Sequence, residues 1–261
     1  MAKRSKTKSG KPSQKSAPKK SAPKRSAPLT AAAVKRELKQ HIIPEKAAFF
    51  PRFFKTGKGE YGEGDKFLGV IVPQQRKTAQ KFKDLGLKEI TKLLNDSYHE
   101  CRLTGVLILV KQYEGSKKDP RRRQELCDFY VSQLDRVNNW DLVDSSAHKI
   151  LGPQLFATGE RKLLYKLAKS KHLWRERVSV IATMYFIKQG EFEDTLKLCE
   201  HFMGHKHDLM HKATGWMLRE IGKQDVKLLE GFLDQWHDQM PRTMLRYAIE
   251  HFSKNKRARW M

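Results

Sequence analysis

Two short helix-patterned segments carry the residue types in this chain that could do chemistry. One reads Asn-Trp-Asp-Leu-Val-Asp, and on a helix its Trp140 and Asp144 share a face because they are four residues apart. The other reads Gly-Trp-Met-Leu-Arg-Glu, and its Trp216 and Arg219 share a face at a spacing of three. A carboxylate beside tryptophan faces is suited to stabilising a positive charge that develops on a bound molecule.

Both segments also have an ordinary structural interpretation. Asn139 or Asp141 could cap a helix, with Trp140 in the core and Asp144 in solvent. In the second segment, Trp216 could lie at the edge of the core, and Arg219 could pair with a glutamate of a neighbouring helix. Composition and the pattern of the whole chain must decide between these interpretations.

The net charge of the chain indicates a polyanionic partner. Its 261 residues include 53 Lys and Arg against 29 Asp and Glu, a formal net charge of +24. Residues 1–28 hold ten of the basic residues and no acid, so residues 29–261 keep an excess of 14 basic residues. Nucleic acid is the first candidate, ahead of an anionic membrane surface or an acidic protein. Arg177 lies where a helix could present its guanidinium to a phosphate.

Several function classes lack the residues that they need. The sequence contains no phosphate-binding glycine loop, no G-x-S-x-G and no H-E-x-x-H, so nucleotide hydrolysis, serine hydrolysis and zinc hydrolysis are not expected. His207 and His211 are four residues apart, but no cysteine lies near them and we expect no metal site. Three scattered cysteines favour reduced thiols over a disulfide framework. We expect neither a transmembrane helix nor a secretory signal.

The first 28 residues differ from the rest of the chain. The unit Ser-Ala-Pro-Lys recurs in them, and such a segment cannot bury enough apolar surface to offset the entropy of ordering. We therefore predict a disordered basic tail over residues 1–28, serving as a nucleic-acid tether, as a localisation signal or simply as a solvated extension. Residues 29–258 are predicted to form a single domain.

From residue 30 onward the pattern is helical, apart from a glycine-rich stretch over residues 56–72 that we interpret as a flexible connection. Gly190 and Gly222 lie where helix C-terminal caps belong, and Pro241 where a first turn belongs. Helices that arrive in pairs about 35–45 residues apart predict an all-α stack of helical hairpins, a solenoid, with a compact bundle as the alternative. We expect helices over residues 31–41, 45–55, 74–85, 88–95, 99–113, 121–137, 139–151, 160–169, 173–188, 191–203, 207–222, 225–236 and 241–253.

Five ordered motifs resemble those of the AlkD-like DNA alkylation repair glycosylases over about residues 30–255. The basic tail lies outside the resemblance. One departure is Asn139, where some members of that family have a second aromatic residue. The motifs are Phe54-Lys55-Thr56-Gly57, Tyr61-Gly62-Glu63-Gly64-Asp65, Phe67-Leu68-Gly69-Val70 with Pro73 and Arg76, Trp140-Asp141-Leu142-Val143-Asp144, and Ala213-Thr214-Gly215-Trp216-Met217-Leu218-Arg219-Glu220 with the C-terminal segment 240–250.

The resemblance implies a HEAT-like helical-repeat solenoid that holds double-stranded DNA on a concave basic face. It also implies excision of positively charged N3- and N7-alkylated purines without a base-flipping pocket. By motif position, Asp144 would be the catalytic carboxylate. Trp140 and Trp216 would contact the deoxyribose of the lesion. Arg177 and Arg219 would contact the DNA backbone.

The chemistry of the residues is consistent with that activity. Cleavage of an N-glycosidic bond builds oxocarbenium character on the sugar, which one carboxylate and aromatic faces can stabilise. An alkylated purine is already cationic, so no general acid is required. We therefore predict a monofunctional DNA glycosylase without a cofactor, acting as a monomer in the cytoplasm, or in the nucleus if the source is eukaryotic. The alternative is a non-catalytic helical-repeat adaptor that binds nucleic acid or an acidic protein.

Overall fold

The computed structural model describes Met1 and residues 29–261, so residues 2–28 of the predicted basic tail lie outside the described residues. Within them the chain forms α-helices, one short 3-10 helix and a single isolated bridge between Lys66 and Tyr98, with no β-strand. The helices are α1 (Ala31–Lys39), α2 (Pro44–Phe53), α3 (Val72–Lys81), α4 (Leu87–Leu94), α5 (His99–Gly115), α6 (Pro120–Ser132), the 3-10 helix Leu134–Arg136, α7 (Trp140–Ser146), α8 (Leu151–Thr158), α9 (Lys162–Ala168), α10 (Leu173–Ala182), α11 (Met184–Lys188), α12 (Glu193–His201), α13 (Asp208–Gln224), α14 (Val226–Trp236), α15 (Arg242–Ala248) and α16 (Lys254–Arg257).

The predicted all-helical stack is confirmed by how these helices pack. A continuous row runs through α3, α5, α7, α10, α13 and α15, each packing against the next. A second layer covers the row: α4 and α6 pack on α5, α9 on α10, and α12 and α14 on α13. The shared core includes α5, which is buried on almost every side, as its apolar sequence requires. The candidate residues Trp140, Asp144, Arg177, Trp216 and Arg219 therefore all lie on helices of this row.

Helix ends follow local sequence signals in most places. The side chains of Thr30, Asp119 and Asp225 accept hydrogen bonds from the first-turn backbone of α1, α6 and α14. Gly190 has a positive φ of 82° just after α11, which confirms the predicted cap, and Pro241 directly precedes α15. The prediction for Gly222 is wrong, because α13 continues through it to Gln224.

The helix predicted over residues 139–151 is in fact two helices. α7 ends at Ser146, and α8 begins at Leu151 after a turn. Pro153 explains the break: it has no N–H to give to the carbonyl of Lys149, and its ring would clash with that carbonyl in a continuous helix. The helix predicted over 173–188 is likewise divided, at Thr183.

The contact between α13 and α15 depends on a glycine. A Cβ atom at Gly215 would lie 2.6 Å from the Cβ of Tyr247 and would collide with the carbonyl oxygen of Met244. We expect Gly215→Ala to lower the free energy of unfolding by about 1–3 kcal/mol, measured by urea denaturation. Gly231→Ala is the matched control, because a Cβ there meets no atom within 4 Å. Equal stabilities of the two variants would contradict this account of the packing.

None of the helices in residues 29–261 combines the length and the apolar character that a membrane crossing needs.

Candidate active site

The short helix α7 presents both residues of the first predicted pair to one cavity. Its Leu142 and Val143 are fully buried in the core, which turns the opposite side of the helix outward. On that side, Trp140 and Asp144 line a cavity of about 390 Å³. The cavity is bordered by α2, α3 and the first turn of α5 as well. The predicted shared face is therefore confirmed, and it faces an open space large enough for part of a ligand.

Asp144 is held by a two-pronged ion pair with Arg177 from α10. The Nε atom of Arg177 donates to Oδ1 of Asp144 at 2.9 Å, and its Nη2 donates to Oδ2 at 2.8 Å. The remaining nitrogen, Nη1, donates at 2.5 Å to the carbonyl oxygen of Leu209 in the first turn of α13. A parallel pair of this kind fixes the plane of the carboxylate as well as its position. Arg177 thus links the helix that carries Asp144 to the helix that carries Trp216.

This ion pair gives Arg177 a partner other than the predicted phosphate, and its contact with DNA stays a prediction. The sequence suggested a guanidinium free to contact a DNA phosphate, but the side chain is only 5% exposed and all its nitrogens are engaged. Burial raises the pKa of the Asp144 carboxyl, and the guanidinium of Arg177 acts against that rise. Arg177 therefore fixes the orientation of the Asp144 carboxyl and opposes the rise in its pKa that burial causes.

Aromatic rings form part of the wall of the cavity that Asp144 lines. The ring of Phe54 is stacked on Trp140 with centroids 5.4 Å apart. Phe67 is stacked on Phe54, with centroids 5.0 Å apart. Phe53, 49% exposed, meets Trp140 edge to face at 6.0 Å. These contacts hold the indole of Trp140 in one orientation at the edge of the cavity.

A buried charged network clamps both neighbours of Trp140. Nε2 of His99 lies 2.7 Å from Oδ2 of Asp141, while its Nδ1 lies 3.4 Å from Oδ2 of Asp65. Asp65 also accepts hydrogen bonds from Arg102 at 2.6 Å and from the side chain of Asn139 at 3.3 Å. The first turn of α7 is thereby fixed to α5 and to the glycine-rich segment that contains Asp65.

The glycine-rich segment is ordered where it meets the site, although the sequence suggested a flexible connection. The buried carboxylate of Glu100 accepts hydrogen bonds from the backbone N–H groups of Leu68, Gly69 and Val70. Gly69 has a φ of 87°, and a Cβ at this position would crowd α2, 2.6 Å from the backbone nitrogen of Ala47. The segment therefore forms a rigid part of the site wall, which the sequence analysis missed.

Trp216 and Arg219 lie further along the row, on α13. The indole nitrogen of Trp216 donates to Glu220 at 3.0 Å, and the ring is half-buried. Arg219 donates to Glu250 of the segment after α15, which is the interhelical pair of the ordinary interpretation. Arg219 also borders a second cavity of about 620 Å³. The basic residues that line this cavity are Lys212, Arg219, Arg246 and Arg257.

The three clustered histidines have structural roles. The Nδ1 atom of His207 accepts a hydrogen bond from the backbone of Leu209 and so caps α13. His205 contacts Glu176 at 3.2 Å, and His211 hydrogen-bonds the carbonyl of His205. Within residues 29–261 no three potential metal-binding side chains come together.

The charge state of His99 gives a testable pH dependence. Although burial opposes a charge on the ring, Asp141 and then Asp65 raise the pKa of His99 from 6.5 to about 9. A raised folded-state pKa contributes stability that is complete below pH 6.5 and is lost as pH rises through about 9. We expect the free energy of unfolding, measured by urea denaturation, to fall as the pH rises from 6.5 to about 9.

His99→Gln should be less stable at pH 6 and should lose most of that pH dependence. The exposed His251 provides the control substitution, His251→Gln, which should behave like the natural chain. An unchanged pH dependence in His99→Gln would show that His99 is not charged in the folded protein.

Two comparisons with known proteins found a similarity, and a third found none. A family model described as DNA alkylation repair enzyme matches residues 34–252. A solved structure described as a predicted DNA alkylation repair enzyme from Enterococcus faecalis is similar in fold, with a TM-score of 0.62 and 14% sequence identity. The match covers 82% of this chain and 98% of that one. No curated protein matches the chain.

Proposed function

This chain belongs to the DNA alkylation repair enzyme family, and from that premise we propose that it is a DNA glycosylase. Its substrates would be positively charged N3- and N7-alkylated purines in double-stranded DNA, and it would act in base excision repair as a monomer without a cofactor. The observation that carries the proposal is that Trp140 and Asp144, the latter held by two hydrogen bonds from Arg177, line the same cavity. It would act wherever the DNA of its source lies, in the cytoplasm or in a nucleus.

The chemistry needs only the groups that the site offers. As the bond between the sugar and the cationic purine breaks, positive charge develops on the deoxyribose. The carboxylate of Asp144 stabilises that charge and can hold the attacking water. The face of Trp140 adds a cation–π contribution. The purine leaves as a neutral base, so the site requires no acid to protonate it.

The two tryptophans would act on the same sugar from different helices. Trp140 is fixed by Phe54 and by the clamp on its neighbours, and Trp216 stands on α13, which Arg177 connects to α7 through Leu209. Deoxyribose held between an indole and a carboxylate can react while the base stays in the duplex. We therefore retain the proposal that the lesion is not flipped into a pocket.

The DNA contacts that we propose differ from those predicted from the sequence. Because Arg177 is engaged with Asp144, we propose that it positions the carboxylate and does not hold a phosphate. Arg219 remains a proposed backbone contact, since its partner Glu250 is exposed and a phosphate could replace it. In the part of the chain that the structure describes, Arg246 and Arg257 border the same cavity without an ion-pair partner, and we add them to the proposed contacts.

Excision is tested on a duplex with one 7-methylguanine and on a matched duplex with one hypoxanthine. The purified protein should convert the first into an abasic site, read as strand scission after mild alkali. It should leave the second intact, because hypoxanthine is neutral and needs protonation to leave. Binding of both duplexes without excision of either would favour the adaptor alternative.

A further inference from the structure

A buried imidazole, His99 at the start of α5, joins the glycine-rich segment to the helix that carries Trp140. Both of its ring nitrogens face carboxylates: Nε2 lies 2.7 Å from Asp141 on α7, and Nδ1 lies 3.4 Å from Asp65 in the glycine-rich segment. Only 2% of the His99 side chain is exposed. An imidazole donates from both nitrogens at once only when it carries a positive charge. The geometry is therefore that of a cation held between two carboxylates from different parts of the chain.

Asp141 depends on this contact for its position. In the part of the chain that the structure describes, Oδ2 of Asp141 meets His99, and its Oδ1 is buried without a hydrogen-bond partner. Asp141 directly follows Trp140 in the first turn of α7, where no side chain caps the helix. A buried carboxylate without a partner is costly, so the contact with His99 holds in place the residue next to Trp140.

The same imidazole also supports the indole ring of Trp140 through Phe54. The rings of Phe54 and Phe67 both lie against His99, with centroids 4.7 Å and 5.0 Å from that of the imidazole. Trp140 is stacked in turn on Phe54, so a continuous series of rings runs from His99 to the indole. A cationic ring attracts aromatic faces beside it. His99 therefore acts on Trp140 along two routes, through Asp141 in the first turn of α7 and through Phe54.

The charged groups that face His99 lie on three elements. They are Asp141 on α7, Asp65 in the glycine-rich segment, and Arg102, which follows His99 on α5 and donates to Asp65 at 2.6 Å. Burial opposes a charge on the ring, yet Asp141 and then Asp65 raise the pKa of His99 to about 9, against a smaller opposing effect of Arg102. The imidazole is therefore charged at pH 7 and loses its proton as the pH rises through about 9.

We propose that His99 is a positioning residue for excision: as a cation between Asp141 and Asp65, it holds the indole of Trp140 where the deoxyribose of the lesion reacts. The inference rests on the proposed glycosylase function, in which Trp140 contacts the sugar. His99 is almost fully buried and acts through Trp140. Loss of His99, or of its charge, should therefore slow the chemical step and leave DNA binding unchanged, because only the orientation of a reacting-site group is altered.

A double-variant cycle tests whether His99 acts through Trp140. The single-turnover rate of 7-methylguanine excision and the affinity for the same duplex are measured at pH 7 for the natural protein, His99→Gln, Trp140→Ala and the double variant. We expect His99→Gln to lower the rate about tenfold and to leave the affinity within about twofold. In the Trp140→Ala background the same change should lower the rate by less than about twofold. The exposed His251→Gln is the control and should excise at the natural rate. Equal losses in both backgrounds would overturn the proposal.

The other end of the contact gives an independent variant. Asp141→Ala removes the carboxylate that His99 holds and leaves no unpaired carboxylate beside Trp140. It should lower the rate by about the same factor as His99→Gln, and the two changes together should lower it no further. Asp141→Asn keeps an oxygen that accepts a hydrogen bond from His99 and should recover most of the natural rate. Losses from His99→Gln and Asp141→Ala that multiply would show that the two residues act separately. Thermal melting at pH 7 checks that each variant is folded.

A measurement that needs no catalysis follows the indole itself. The five tryptophans of the chain are replaced by 5-fluorotryptophan, and the fluorine NMR resonance of Trp140 is identified by its absence from Trp140→Phe. In the natural protein this resonance should shift or broaden as the pH is raised, with a midpoint near 9. In His99→Gln it should already be displaced at pH 7 and should not change with pH, while the other tryptophan resonances stay dispersed. A Trp140 resonance that neither the substitution nor the pH moves would overturn the proposal.

The two measurements separate this inference from the proposed function. If the substitution and the pH move the Trp140 resonance but the natural protein releases no 7-methylguanine, the coupling of His99 to Trp140 stands and the glycosylase function is refuted. If the natural protein excises 7-methylguanine and His99→Gln does so at the same rate, the glycosylase function stands and the positioning role of His99 is refuted.

Discussion

Asp144→Asn is expected to lower the single-turnover rate of 7-methylguanine excision by roughly 10²- to 10³-fold or more, because it removes a preorganised charge aimed at the developing cation. Asparagine keeps the size of the side chain, so the cavity shared with Trp140 should persist. DNA affinity should stay within about twofold, since Asp144 is not a proposed phosphate contact. The rate is measured with protein in excess over a labelled duplex, and affinity is measured in parallel.

Asp208→Asn is the matched control for this substitution. Asp208 is an aspartate at the start of α13, more than half exposed and paired with Lys212. The variant should excise 7-methylguanine at the natural rate. If Asp144→Asn were as active as this control, Asp144 would not be the catalytic carboxylate.

Arg177→Met is expected to have the largest effect on stability. Removing one partner of a buried ion pair leaves the other charge uncompensated, which typically costs about 3–5 kcal/mol. The free energy of unfolding is measured by urea denaturation at pH 7. The double variant Asp144→Asn with Arg177→Met should be more stable than Arg177→Met alone, because no unpaired carboxylate remains.

The same variant should also change the pH profile of excision. The guanidinium of Arg177 acts against the burial that raises the pKa of Asp144, so its loss allows that pKa to rise further. Excision requires the ionised carboxylate and should therefore fall away at a higher pH in Arg177→Met than in the natural protein. Arg177→Lys retains the charge but not the fork, and its profile should lie between the two. An unmoved profile, with weaker DNA binding and a smaller salt slope, would restore the original assignment of Arg177 as a phosphate contact.

The residues of α7 and α13 could be predicted because their signals are local. Helical periodicity alone places Trp140 and Asp144 on one face of α7. The same periodicity on α13 accounts for the burial of Met217 and Leu218. The stacking of hairpins was likewise visible in the spacing of helices. The predicted helix over residues 139–151 is wrong because Pro153 prevents a continuous helix there.

The partners of those residues could not be predicted, because they come from distant parts of the chain. Asp65 meets His99 across 34 residues and Asn139 across 74. Arg177 meets Asp144 across 33 residues, and a guanidinium on a helix has the same sequence pattern whether it will bind phosphate or carboxylate. The motif Tyr-Gly-Glu-Gly-Asp that ends at Asp65 was the available signal that the glycine-rich segment belongs to the site.

The most direct test of the central claim is the identity of the product. Duplex DNA containing 7-methylguanine is incubated with the natural protein, and the small-molecule fraction and the DNA strand are analysed separately by mass spectrometry. The account predicts intact free 7-methylguanine in solution and an abasic site in a strand that is otherwise unbroken. Guanine restored in an intact strand would mean direct removal of the methyl group, and that result would contradict hydrolysis of the N-glycosidic bond.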